Sequence, residues 1–159
     1  MNVKPIPEGY HSVTPSLTLD DASAAIDFYK RVFGATELYR LPGPGGKVMH
    51  AELKIGNSHI MLSDEFPDCG ALSPKTIGGC PSSLLIYVED VDAAFAQAIK
   101  AGATEKQPLT NQVWGDRIGS LMDPYGFRWS IATHIEEVSP EEIQRRFSEW
   151  MEKEGGGGG

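Results

Sequence analysis

The sequence predicts an α+β fold assembled from two copies of one β-α-β-β-β module. A strand-like run at residues 13–19 leads through Asp20 and Asp21 into a helix-like run that closes on Phe33-Gly34-Ala35-Thr36-Glu37. About 68 residues later residues 84–88 lead through Glu89 and Asp90 into a second such run, closing on Ala101-Gly102-Ala103-Thr104-Glu105. That period is longer than the roughly 20–50 residues of a solenoid repeat, so a duplicated half-domain building one shared concave site is the reading.

Each element has a local cause. In the first helix Asp20 or Asp21 supplies the N-cap, and Ala22, Ala25, Ile26, Tyr29 and Phe33 recur at near-helical spacing. Gly34 then stops it. The second helix starts from Asp90, buries Val91, Ala94, Phe95, Ala98 and Ile99, and ends at Gly102. Three strands are expected after the first helix, at 37–41, 47–55 and 58–63. Their turns are Pro42-Gly43-Pro44-Gly45-Gly46 and Gly56-Asn57. Strands at about 105–109, 116–122 and 127–134 complete the second module, the last two joined by Asp123-Pro124-Tyr125-Gly126.

Three further segments frame the modules. Residues 64–81 carry Pro, Gly, Ser and both cysteines; a structureless connection of that length reads as a lid or a module linker. Ser139-Pro140-Glu141-Glu142 is a capping box with Pro at N1, opening a last helix with Ile143, Phe147, Trp150 and Met151 on one face. That face packs either on its own domain or on a second subunit. The expected layout is a domain at 1–138, with module one at about 10–63 and module two at about 82–134. The helix follows at 139–154, and a run of glycines at 155–159 reads as a linker or tag scar.

Composition narrows the partners. The chain has 159 residues, enough for a core without disulfide support, and carries 14 Lys+Arg against 22 Asp+Glu, a net charge of −8. With no basic cluster, nucleic acid and anionic membranes are not expected partners. No segment approaches the ~20 apolar residues of a membrane span, and the cytoplasm is the expected location. Cys69 and Cys80 read as free thiols.

The duplicated pattern, with Ala25-Ile26-Asp27-Phe28-Tyr29, Val32-Phe33-Gly34 and Asp123-Pro124-Tyr125-Gly126-Phe127, closely resembles the glyoxalase/bleomycin-resistance/dioxygenase superfamily, also called vicinal oxygen chelate. Within it, His50-Ala51-Glu52-Leu53, Trp114-Gly115-Asp116-Arg117 and Arg128-Trp129-Ser130 resemble the PhnB-like branch. The resemblance covers about residues 10–134. It implies a curved mixed eight-stranded sheet around a ligand cavity, commonly in a homodimer. It also implies four metal positions, which fall here on Thr14, Met61, Ser83 and Ser130. A thioether and three neutral hydroxyls are a poor set for a divalent cation, so no cofactor is expected.

Strand geometry bears on a displaced metal site at His50, Glu52 and His59. If Gly56-Asn57 forms a two-residue hairpin turn, Ile55 faces Ser58 and Glu52 faces Met61. His50, Glu52, His59 and Met61 then share one face, with His59 about 13 Å along the strands from His50, too far to share an ion. A cross-strand Glu52–His59 pair is expected instead, with His50 and Glu52 as the acid/base candidates. His59, Met61, Ser83, Trp114, Arg117 and Ser130 are the expected ligand-binding residues: Trp114 as a planar wall and Arg117 as a fork for a ligand anion. The alternative for the last pair is an Arg117 surface ion pair and a Trp114 core plug. Arg128 reads as structural, and His11 and His134 as ordinary residues.

Two functions follow. The favoured one is a metal-free protein binding a small, partly planar molecule such as an antibiotic or metabolite. The other is a lyase, isomerase or dioxygenase of the glyoxalase type, using a divalent metal or His50 and Glu52. A scaffold with a vestigial cavity is the third and blandest possibility.

Overall fold

The computed structural model describes residues 3–155; the rest of the terminal glycine run, 156–159, lies outside them. Module one comprises β1 (Ser16–Leu19), α1 (Ala22–Phe33), β2 (Thr36–Pro42), β3 (Val48–Ile55) and β4 (Ser58–Asp64). A short helix α2 (Pro74–Ile77) lies in the connection. Module two repeats the order with β5 (Ser83–Tyr87), α3 (Val91–Lys100), β6 (Thr104–Asn111), β7 (Asp116–Met122) and β8 (Arg128–His134), and α4 (Pro140–Gly155) follows.

The eight strands form two four-stranded mixed sheets, ordered β1-β4-β3-β2 and β5-β8-β7-β6. In each, the first strand runs parallel to the last and the others are antiparallel. The chain is therefore the α+β pair of matched modules that its sequence predicts.

α1 and α3 start the same way. The Asp21 carboxylate accepts from the Ala24 N–H at 2.9 Å and Asp90 from Ala93 at 3.0 Å, satisfying donors that the first turn leaves free. Each helix start is also tied to the last strand of its module. Asp64 accepts from the Ala22 N–H at 2.8 Å, and the Thr133 hydroxyl accepts from Val91 at 3.0 Å. At the far end of α1, Gly34 takes the left-handed conformation at φ 62°, which a side chain would disfavour.

The modules meet through α1. Tyr29 and Phe28 are wholly buried on it, and Phe33 packs on Trp129 with ring centroids 4.5 Å apart. One carboxylate organises this junction. Asp123 accepts from the Tyr29 hydroxyl at 2.6 Å, from Trp129 Nε1 at 2.9 Å, and from the Tyr125 and Phe127 N–H groups, both at 2.9 Å. Burial, with Asp123 beside it, pushes the Tyr29 phenol well above its usual range.

The connection at 64–81 is not structureless. Glu65 Oε2 accepts from the Ser73 N–H at 2.9 Å and the Thr76 hydroxyl at 2.7 Å, so α2 is anchored from outside its own sequence. Ser73 is fully buried as a result. α4, in contrast, leaves its apolar stripe uncovered: Phe147, Trp150 and Met151 are about half exposed. Among the described residues nothing covers that stripe fully. Among the described residues no helix is long and apolar enough to cross a membrane.

Candidate functional site

The side chains of interest sit on the sheet faces turned away from α1 and α3. In module one the register pairs Glu52 with Met61, Ile55 with Ser58 and Lys54 with His59, as the Gly56-Asn57 turn predicts. His50, Glu52, His59 and Met61 therefore share one face. The expected Glu52–His59 pair does not form. Glu52, 7% exposed, takes the Tyr39 hydroxyl at 2.5 Å and His50 Nε2 at 3.1 Å, both on Oε1. Tyr39 sits directly opposite Glu52 on β2, nearer than the diagonal His59. His59 stacks instead on Tyr10, with centroids 4.0 Å apart, and its buried Nδ1 has no hydrogen-bond partner among the described residues.

Module two places Asp116 opposite His134 and Ser120 opposite Ser130. Asp116 is 3% exposed and accepts three bonds: His134 Nδ1 at 2.7 Å, the Tyr87 hydroxyl at 2.9 Å and Trp114 Nε1 at 3.1 Å. Burial pushes its carboxyl up, but the bonds from His134, Tyr87 and Trp114 outweigh this and hold it below its usual value. The same bond, with Glu137 nearby, raises the His134 imidazolium pKa. His134 is thus the half-exposed partner of a buried carboxylate rather than an ordinary residue. Counting outward from the Asp123-Pro124-Tyr125-Gly126 turn would have found the pair.

Arg117 lies on the other face. Its Nε and Nη2 donate to Asp92 of α3 at 2.9 and 2.7 Å, and Nη1 donates to Asn111 at 3.1 Å. The guanidinium fork expected for a ligand anion is occupied by the protein. Of the other expected ligand residues, Met61 lies between Ser16 and Glu52, and Ser83 lies beside Arg128.

Two cavities receive the remaining residues. The larger, about 590 Å³, lies between the modules; Val13, Thr14, Phe33, Ile60, Leu84 and Trp129 contribute to a mainly apolar wall, with His59, Tyr87 and Glu89 adding polar groups. The smaller, about 400 Å³, lies on module two and includes Trp114, Gln107, Thr110, Gln112 and Ser130. The six expected ligand residues therefore do not converge on one site. His59 belongs to the first cavity, and Trp114 and Ser130 to the second.

The positions that the resemblance gives to a metal do not fit one. The register sets Ser16 beside Met61 and Leu85 beside Ser130, whereas Thr14 precedes β1 and Ser83 pairs with Arg128. Neither version of the set contains a carboxylate, imidazole or thiolate, the donors a divalent ion needs. Among the described residues no three His, Cys, Asp or Glu side chains are grouped to hold an ion.

Comparison with known proteins agrees with this architecture. An uncharacterized protein of Mycobacterium tuberculosis, Rv0887c, is 44% identical over 151 residues, covering 93% of this chain and 85% of the relative. The crystal structure of TioX from Micromonospora sp. ML1 superposes with a TM-score of 0.62 at 29% identity, over 79% of this chain and 99% of TioX. The structure of a PhnB protein from Bacillus cereus shares the fold with a TM-score of 0.61 at 20% identity, over 77% of this chain and 99% of that one. The sequence profile of the Glyoxalase/Bleomycin resistance protein/Dioxygenase superfamily matches residues 10–131, and the chain belongs to that superfamily.

Proposed function

We propose that this protein binds a small, partly planar organic molecule without a metal, in the cavity between its modules. The observation that carries the reading is the cavity itself. Its volume of about 590 Å³ falls within the roughly 300–1,000 Å³ of small-molecule sites, and a mainly apolar wall with a few polar groups is the usual makeup of such sites. Phe33, Trp129 and Tyr87 offer aromatic surface, and His59 Nδ1, without a partner among the described residues, is a polar atom that a ligand can pair, as donor or acceptor according to its tautomer. A metabolite or an antibiotic-like compound has these properties. The reading includes membership of the PhnB-like branch, supported by the likeness of residues 50–53, 114–117 and 128–130, and action in the cytoplasm as a homodimer whose contact includes the exposed stripe of α4. Light scattering across the micromolar range tests the dimer; a monomer throughout overturns it.

The binding test is a thermal-shift screen of aromatic and heteroaromatic fragments in the presence of EDTA, repeated with Thr14→Trp to fill the cavity. Stabilisation by fragments that survives EDTA and disappears in T14W is expected. Stabilisation abolished by EDTA, equal in T14W, or absent across the panel overturns the reading.

One observation favours a second reading. The Tyr39–Glu52–His50 cluster joins a nearly buried carboxylate to an imidazole on an open sheet face, the equipment of an acid/base lyase or isomerase. Turnover that is unchanged by Glu52→Gln and His50→Ala removes those residues from any such chemistry.

A further inference from the structure

Arg128 stands apart from the other arginines. Of the six in the chain, four are committed to carboxylates: Arg40 to Glu37, Arg117 to Asp92, Arg145 to Glu142 and Glu149, and Arg146 to Glu136 and Glu142. Arg31 is exposed to water. Arg128 is only partly exposed, and a single bond, from Nη2 to Ser120 Oγ at 3.1 Å, is its one side-chain hydrogen bond among the described residues. A guanidinium carries five N–H donors and cannot shed its charge, so one half out of water needs acceptors. A chain with 22 carboxylates has placed none of them there within 4.0 Å among its described residues.

The surroundings suit an anion. The register puts Ser83 directly beside Arg128 on β5, and Ser120 and Ser130 face one another one pleat further along β7 and β8. Ser120 also bonds Gln107 Oε1 at 3.3 Å, which fixes its position. The acid on this face of β7, Asp116, is six residues from the Arg128 level, roughly 20 Å at about 3.3 Å per residue, and already accepts three bonds. The cavity on module two runs from Trp114 to Ser130, and Arg128 lies one pleat beyond.

We propose that Arg128, held in place by Ser120 and flanked by the exposed hydroxyl of Ser83, is an oxyanion site that takes the carboxylate or phosphate end of a small molecule whose planar body lies along β8 toward Ser130. The planar fork matches either group in a two-point contact. Neither Arg128 nor Ser83 lines the cavity between the modules, so this site and the binding reading above stand or fall separately.

The test is calorimetric titration of the full chain with benzoate, phenyl phosphate and the uncharged benzamide, on the parent, Arg128→Gln and Arg128→Lys. The expected result is that one of the anions binds the parent more tightly than benzamide does. R128Q then weakens that anion by about 10- to 100-fold, as loss of a charged hydrogen-bonding partner implies. R128K gives an intermediate loss, and benzamide binding is the same in all three. The anion that binds better tells carboxylate from phosphate. Equal anion binding by parent and R128Q, or no preference of the parent for either anion over benzamide, overturns the site. A cooperative melting transition of R128Q like that of the parent shows that the variant is folded.

Discussion

The two modules place polar pairs at equivalent points of one backbone plan and give them opposite character. In module one Tyr39 lies opposite Glu52, and in module two Gln107 lies opposite Ser120. Around the first pair sits His50, making an anionic, titratable cluster; around the second sits Arg128, making a cationic, hydroxyl-rich one. The sheet fixes where a pair can form, whereas the side chains decide what it binds. Burial diverges as well. α1 buries six residues and β1 buries Leu17 and Leu19, but α3 buries three and β5 none, leaving Leu85 and Tyr87 half exposed; the outer strands β2 and β6 alike bury nothing fully. Module one is the better packed scaffold, and module two the more open surface.

The largest expected effect tests whether the modules are one unit. Asp123→Ala strips the acceptor from four donors at the junction, two of them buried aromatic side chains, and should cost about 4 kcal/mol or more. Urea denaturation followed by tryptophan fluorescence measures it; a loss below about 1 kcal/mol would mean that the two modules are held together elsewhere.

Next come the helix ties. Asp64→Ala leaves the Ala22 and Val48 N–H groups unpaired, a loss of about 2–4 kcal/mol, whereas Thr133→Val frees only the Val91 N–H and the Val88 carbonyl in a partly buried setting, about 1–2 kcal/mol. Equal losses would erase the difference in packing between the modules.

The smallest effects have opposite pH dependence. Hydrogen bonds from Arg40 and Lys30 lower the Glu37 carboxyl to about 2. A folded value below the unfolded one stabilises the protein above pH ~4.5, and that contribution vanishes as pH falls toward 2. Glu37→Gln should therefore melt a few degrees below the parent at pH 7 and converge with it in acid. His134 is raised by its bond to Asp116, so its contribution is complete below pH ~6.5 and is lost as pH rises through the folded value. His134→Gln should differ most from the parent at pH 5.5, and the difference should shrink as pH rises through the folded value. Melting curves at these pH values check both, and convergence of either variant on the wrong side contradicts its ion pair.

Much of the fold is legible in the chain because its causes are local. Asp21, Asp90 and Gly34 act within one turn of their helices, and Gly56-Asn57 sets the β3–β4 register by itself. What escaped depends on partners far along the chain. The pairing of Arg117 needs α3 to bring Asp92 to β7, whereas α2 carries local signals, Ser73 as N-cap, Pro74 at N1 and Gly78 as stop, and is fastened further by Glu65. Glu52 found Tyr39 rather than His59 because β2 shifts register between Glu37 and Tyr39, a bulge that no sequence pattern announces. His59 was claimed by Tyr10 from the segment ahead of β1. The Asp116–His134 pair, in contrast, was available by counting from its turn.

The most direct test of the central claim is metal analysis by mass spectrometry on undialysed protein, with fragment binding measured on the same sample before and after EDTA. The account predicts no stoichiometric ion and fragment binding that EDTA leaves unchanged. One tightly held divalent ion per chain, whose removal abolishes binding, would contradict it.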